Sequence, residues 1–167
     1  MKFIISQILG TVGYSLLAYS YFKKSKKEIL YLQILAYIGF TTHYFLLDAL
    51  TGTMCNVLGF VALILIHFIS ENEKKKKVLV LLLILLLIFM SYLSYENIYS
   101  IFPVIGCLLT FTSFLSQDEN TIRFLGIISA ACWLIYAVIH VSYSAIIFQI
   151  VVLISTIVAY LKNKAKE

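Results

Sequence analysis

The sequence predicts an all-α integral membrane protein of seven transmembrane helices, laid out as a parallel 3+1+3 repeat of triple-helix bundles, N-out and C-in. Three observations predict it. Of 167 residues, 62% are hydrophobic and only 13% are charged, with a mean hydropathy of +0.97, and no water-soluble surface can be built from that composition. Apolar stretches near the ~20 residues that a spanning helix needs recur seven times, without the alternation of barrel strands. Residues 29–59 overlay residues 122–152 at a fixed offset of 93, pairing Phe40 with Trp133, His43 with Tyr136, Thr51 with Ser144 and Asn56 with Gln149.

The first span is Phe3–Phe22. Its Met-Lys start suits a signal peptide, but it contains Gln7 and ends in aromatics and lysines rather than a small-residue cleavage site, so it reads as retained. Ile29–Leu47 and Leu50–Ser70 form a hairpin turning at Asp48. The fourth span, Lys77–Tyr95, breaks the pattern: Val78–Met90 has no Gly, Ala or polar residue to let another helix approach, which marks it as a lipid-facing linker. Asn97–Ser116 follows, and Thr121–Val141 with Tyr143–Leu161 forms a second hairpin turning at Val141. Stripes of small and polar residues run down single helix faces: Ser6, Gly10 and Gly13 on the first span, Thr51, Cys55, Gly59 and Ala62 on the third, Pro103, Gly106, Thr110 and Ser113 on the fifth. Residues 1–72 are thus the first triple-helix bundle, 73–96 the linker and 97–167 the second bundle. A single linker span leaves the two bundles in the same orientation.

Charge sets the direction of insertion. Lys23, Lys24, Lys26 and Lys27, then Lys74–Lys77, Arg123, and finally Lys162, Lys164 and Lys166 all fall in connections on one side, which the positive-inside rule makes the cytoplasm. The outer turns carry Asp48 and Glu96 and no Lys or Arg. Topology accounts for the net charge of +5, so nucleic acid is not a partner; the bilayer is, and Lys74–Lys77 suits anionic head groups.

Phe40 and Asn56 each lie eight residues from Asp48, and Trp133 and Gln149 each lie eight from Val141. At ~1.5 Å rise per residue, all four side chains sit roughly 12 Å from the turns, near the middle of a hydrocarbon core about 30 Å thick. Amides also serve as interhelical hydrogen-bonding groups worth around 0.6 kcal/mol, and aromatics as packing. Equal depth and repeat pairing favour a substrate-binding ring of Asn56, Gln149, Trp133 and Phe40. His43 and Tyr136, five residues from their turns, are placed as an outer gate or pH-sensitive contact, or as a polar interfacial pair. Cys55, Cys107 and Cys132 fall within spans and read as packing. No metal-ligand spacing, nucleophile set or phosphate loop occurs, so the reading includes no enzyme, no metal and no cofactor.

The three-one-three layout and the 16-residue spacing from aromatic to amide, Phe40 to Asn56 and Trp133 to Gln149, resemble the SWEET, SemiSWEET and PQ-loop superfamily. In length and in the stretch from His43 to Asn56, the chain is most similar to the bacterial YgjV-type inner-membrane proteins of that superfamily. The resemblance implies a small-molecule carrier in which two triple-helix bundles rock about a central site lined by those four residues. The superfamily's Pro-Gln hinge pair is split here, with Gln7 lacking its proline and Pro103 lacking its glutamine; these two residues are the hinge candidates, and Pro103 is expected to loosen the fifth helix.

The expected function is facilitated diffusion of a neutral polar solute, such as a sugar, nucleoside or vitamin-like molecule, because no charged side chain lies clearly inside a span to couple transport to an ion. The alternative is a receptor or assembly protein that uses the same cavity without moving its ligand. Two repeats can enclose one pathway within a monomer, and a homo-oligomer is equally compatible with the pattern.

Overall fold

A computed structural model describes residues 1–20, 22–23, 25–69 and 72–164. Lys24, Ser70 and Lys166, which the sequence reading used in the basic connections and at the end of the third span, lie outside them. Among the described residues there are seven α-helices and no strand: α1 (Lys2–Ser20), α2 (Lys26–Leu46), α3 (Leu50–Ile69), α4 (Glu73–Leu93), α5 (Ile101–Ser113), α6 (Glu119–Ile139) and α7 (Tyr143–Lys164). Six are long and apolar enough to cross a membrane.

The exception is α5, with 13 residues, so the expected span Asn97–Ser116 is not one long helix. A 3-10 turn at Ile98–Ser100 leads into it, capped by Asn97, whose side chain accepts from the Tyr99 N–H. Pro103 follows in the first turn of α5, where its missing N–H removes no obligatory helix bond. The change of helix type therefore lies at Ser100–Ile101, just before the proline.

The principal packing contacts run α1 to α2, α2 to α3, α3 to α5, α5 to α6, α6 to α7 and α7 back to α1. Six helices thus close a ring, and α4 lies outside it against α3 and α5. This corrects the reading of α4 as wholly lipid-facing. Leu79, Val80, Leu83 and Leu87 are buried against Cys55, Leu58 and Ala62 of α3 and Cys107 and Phe111 of α5. The small residues needed for close approach come from the partner helices, and Leu81, Leu82, Leu85 and Phe89 remain exposed on the other face.

Both helical hairpins use one turn. Asp48 (φ 56°) and Val141 (φ 52°) are left-handed, 93 positions apart. The bonds around them correspond: Ala49 N–H to Tyr44 O at 3.0 Å and Ser142 N–H to Ala137 O at 2.8 Å, then Asp48 N–H to Phe45 O and Val141 N–H to Val138 O, both at 3.1 Å. This is the Schellman ending, which glycine usually makes. Asp tolerates the left-handed region, whereas a β-branched valine is strained in it.

The ends of the ring are tied separately. Gln117 Nε2 donates to Glu73 Oε1 (3.1 Å) and Asn163 Nδ2 to Asn120 Oδ1 (3.3 Å), joining connections that carry the basic residues. At the hairpin end, Gln7 Nε2 donates to Val141 O (3.3 Å), and the Thr51 N–H donates to Glu96 Oε2 (3.3 Å).

Candidate functional site

One cavity of about 170 Å³ lies inside the ring, lined by residues of all six ring helices and none of α4. Asn56, Gln149, Trp133 and Phe40 all line it. The sequence reading named those four; the structure adds Tyr14, Tyr44, Thr110 and Phe148, among others. Among the described residues, no charged side chain is in the lining. The volume is below the roughly 300–1,000 Å³ of sites for drug-sized ligands, which suits a single small molecule.

Glycine and aromatic residues build the walls in pairs. A Cβ on Gly13 would stand 3.0 Å from the Phe40 ring, and one on Gly106 would stand 2.8 Å from Trp133, so each large ring occupies the space over a glycine on the neighbouring helix. Gly13 and Gly106 are 93 apart, as are Phe40 and Trp133. The correspondence therefore extends to α1 and α5, beyond the segments the sequence comparison overlaid. Tyr14 stacks between Phe40 and Phe148 with ring centroids 4.4 Å from each.

Asn56 turns its amide Nδ2 to the Gly52 carbonyl of its own helix (2.8 Å), so one of its two N–H donors is used locally while the other and Oδ1 are left for other partners. The Tyr14 hydroxyl lies beside Tyr44 and Gln149. Tyr44 Oη, in a residue 1% exposed, approaches the hydroxyls of Tyr14 and Ser142 without closing a hydrogen bond to either. A buried hydroxyl in that state costs about 1–3 kcal/mol, so it marks a place where a partner is expected.

Toward the hairpin turns the cavity is sealed. His43, Tyr136, Thr51, Ser142, Ala49, Ala137 and Ala145 are each 0% exposed. This corrects the picture of His43 and Tyr136 as an interfacial pair near the outer surface. They do not pair with each other, and each spans from one half of the ring to the other. His43 Nε2 meets Ser142 Oγ at 2.6 Å, and the Gly52 N–H donates to Tyr136 Oη at 3.0 Å. His43 Nδ1 lies 2.6 Å from the Ser6 carbonyl, which can only accept, so Nδ1 carries the hydrogen. Gln7 Oε1 accepts from the Ser144 N–H (3.2 Å), and Thr51 Oγ1 lies 2.5 Å from Ser94 O and 3.0 Å from Ser100 Oγ. Gln7 and Ser100 are again 93 apart, as are Ser144 and Thr51. Pro103 is buried in the α5 wall and is not in the cavity lining. At the other end the lining is half-buried, at Leu17, Tyr37, Leu63 and Phe114.

The model of one family, Imp-YgjV, described as a bacterial inner membrane protein, matches residues 4–167. The chain belongs to that family. Imp-YgjV membership and the six membrane-length apolar helices agree on the location: this is a bacterial inner-membrane protein. Neither a curated protein nor a solved structure matches the chain.

Proposed function

We propose that this Imp-YgjV protein is a small-molecule carrier of the SWEET-like kind, a parallel 3+1+3 repeat with its N-terminus outside, that moves a neutral polar solute by alternating access. The observation that carries the reading is the placement of the cavity. It lies between two halves whose turns, glycine–aromatic pairs and Gln7–Ser144 and Ser100–Thr51 contacts correspond at one offset, and carriers built from repeats hold their substrates at that interface. In this reading the end that carries the basic connections faces the cytoplasm. The conformation is closed toward the hairpin turns, which are the outer end in this orientation.

The lining indicates how a solute is held. Trp133, Phe40 and Tyr14 offer aromatic faces, Asn56 and Gln149 offer amides, and no side chain offers a counter-ion to a charged ligand. Trp133 is the only tryptophan of the chain, so its fluorescence reports directly on the site. Neutral sugars, nucleobases, nucleosides and pyridine vitamins should be titrated against purified protein, and each solute that changes the Trp133 signal carried into counterflow in proteoliposomes. Binding with labelled exchange, both weakened about tenfold or more in Asn56→Ala, supports the carrier. Binding without exchange makes the protein a receptor, and wild-type binding in Asn56→Ala, Gln149→Ala and Phe40→Ala together removes the central site.

A further inference from the structure

His43 and Tyr136 hold corresponding positions, 93 apart, but their cross-ring bonds go to different partners and differ in chemistry. Tyr136 meets a backbone amide, while His43 meets a hydroxyl that continues toward the cavity. We propose that His43 is a proton-binding site and that solute movement is coupled to a proton passing between His43 and the cavity along Ser142, Tyr44 and Tyr14. The coupling rests on the carrier reading; the proton site does not.

With Nδ1–H fixed on the Ser6 carbonyl, Nε2 of a neutral ring must accept, and the hydrogen comes from Ser142 Oγ. A protonated ring donates from Nε2 instead, and Ser142 Oγ becomes the acceptor. Ser142 Oγ already receives the Ala145 N–H (3.4 Å), so its own hydrogen then turns away from the imidazole. The neighbouring acceptor is Tyr44 Oη, the buried hydroxyl that lacks a partner. Protonation of His43 therefore supplies the bond that Tyr44 lacks, without separating the two helices that His43 bridges. From Tyr44 the hydroxyls continue to Tyr14 and, beside it, the Gln149 amide in the cavity wall.

Transfer along this line balances. The imidazolium gives its Nε2 proton to Ser142 Oγ as Ser142 passes its own to Tyr44, Tyr44 to Tyr14, and Tyr14 to a water in the cavity. His43 is left neutral and each hydroxyl is restored. With the hairpin end open, His43 would face the outside and load; with it sealed, as here, the line leads only inward. The groups facing the ring carry no charge: Ser6 and Gly10 on α1, Tyr44 beside it on α2, Ser142 and Ser144 at the start of α7. Asp48 is exposed in the turn, and Glu96 serves the other lock by accepting from Thr51. Among the described residues no Asp, Glu, Lys or Arg is buried, which leaves His43 as the buried group able to bind a proton near neutral pH. The expectation of uncoupled diffusion considered only carboxylates, amines and guanidines as relay groups.

Two measurements test this. The first needs no solute: histidine-specific ¹⁵N NMR of the full chain in nanodiscs, with His43 assigned by His43→Gln and separated from exposed His67 and from His140. A His43 ring that changes from one to two protonated nitrogens between pH 4 and 8, with a midpoint moved by Tyr44→Phe, is the expected result; a ring fixed in one state overturns the proton site. The second uses proteoliposomes and any solute that exchanges in the counterflow screen. One proton per solute predicts about tenfold accumulation for each pH unit of inward gradient. Ser142→Ala, which leaves the imidazole and its Ser6 contact in place, should lower accumulation more than exchange. Exchange without accumulation in the wild type overturns the coupling and leaves the carrier standing. No exchange of any solute overturns the carrier and the coupling, while the NMR result still decides the proton site.

Discussion

Two seams close the helix ring, α1 against α7 and α3 against α5, and the structure treats them unequally. The α3/α5 seam is backed by α4, whose Leu79, Leu83 and Leu87 pack over Cys55, Leu58 and Cys107. Above it Tyr136, Thr51, Ser94, Ser100 and Glu96 form a lock of hydroxyls, backbone groups and one carboxylate. The α1/α7 seam has no helix behind it among the principal contacts, and its lock consists of His43, Ser6, Gln7, Ser142 and Ser144. Backbone positions correspond at the offset of 93, so the architecture is common to both seams, but the side chains have diverged. One seam is built as a fixed wall. The other has fewer supports, and its lock turns on an imidazole where the first has a phenol.

The largest effect expected from that asymmetry is at the buttress. Leu83→Ala removes a buried side chain between α3 and α5 and should destabilise the protein by about 2–5 kcal/mol, as large-to-small core changes do. Leu82→Ala, on the exposed face of α4, should stay within about 0.5 kcal/mol. Thermal unfolding in one detergent checks both. Equal effects would mean that α4 does not brace the seam.

A finer comparison uses the glycine pairs in the cavity wall. A methyl on Gly13 meets both the Phe40 ring and the Ala36 carbonyl, at 3.0 and 3.1 Å, and a helix carbonyl cannot yield. Gly13→Ala should therefore cost about 1–3 kcal/mol in stability. A methyl on Gly106 meets chiefly the Trp133 indole at 2.8 Å, with backbone no nearer than Ser129 O at 3.5 Å. In Gly106→Ala the half-buried indole should tilt into the cavity, shifting tryptophan emission and weakening solute binding more than it lowers the melting temperature. A stability loss as large as that of Gly13→Ala, with unchanged emission, would make the two walls equivalent.

Much of this was legible in the sequence because membrane helices advertise themselves by length and hydropathy, and because the second and third helix of each half carry matching residues. Asn56, Gln149, Trp133 and Phe40 came out at one depth from arithmetic alone, and they line one cavity. Tyr14 and Tyr44 were missed because a tyrosine in an apolar helix looks like packing until the position of its hydroxyl is known. The offset would have extended to α1 and α5 through Gly13 with Gly106 and Gln7 with Ser100, but glycine and serine are too common in membrane helices to stand out. The α4 stripe was missed for a different reason: the small residues that admit Leu83 belong to α3 and α5, so the helix's own composition could not show it. The shortness of α5 was hidden because the 3-10 turn runs straight into the helix, so that Ile98–Ser113 reads as one continuous stretch in the sequence.

The smallest expected effect concerns the turns, where the two halves have one geometry and unequal side chains. Holding a β-branched residue in the left-handed region costs roughly 1–2 kcal/mol relative to glycine, whereas an aspartate pays less because its short polar side chain bonds locally. Val141→Gly should then stabilise the protein by about 1 kcal/mol after the added flexibility of the unfolded chain is counted, a rise of roughly 2–4 °C in Tm for a chain of this size. Asp48→Gly should change it little. Val141 also presents its carbonyl to Gln7 across the α1/α7 seam, and glycine keeps that carbonyl, so the gain should appear without loss of the lock. If Val141→Gly instead lowers Tm, the valine side chain does more for the α1/α7 seam than its 45% exposure indicates, and the two turns differ in packing as well as in backbone strain.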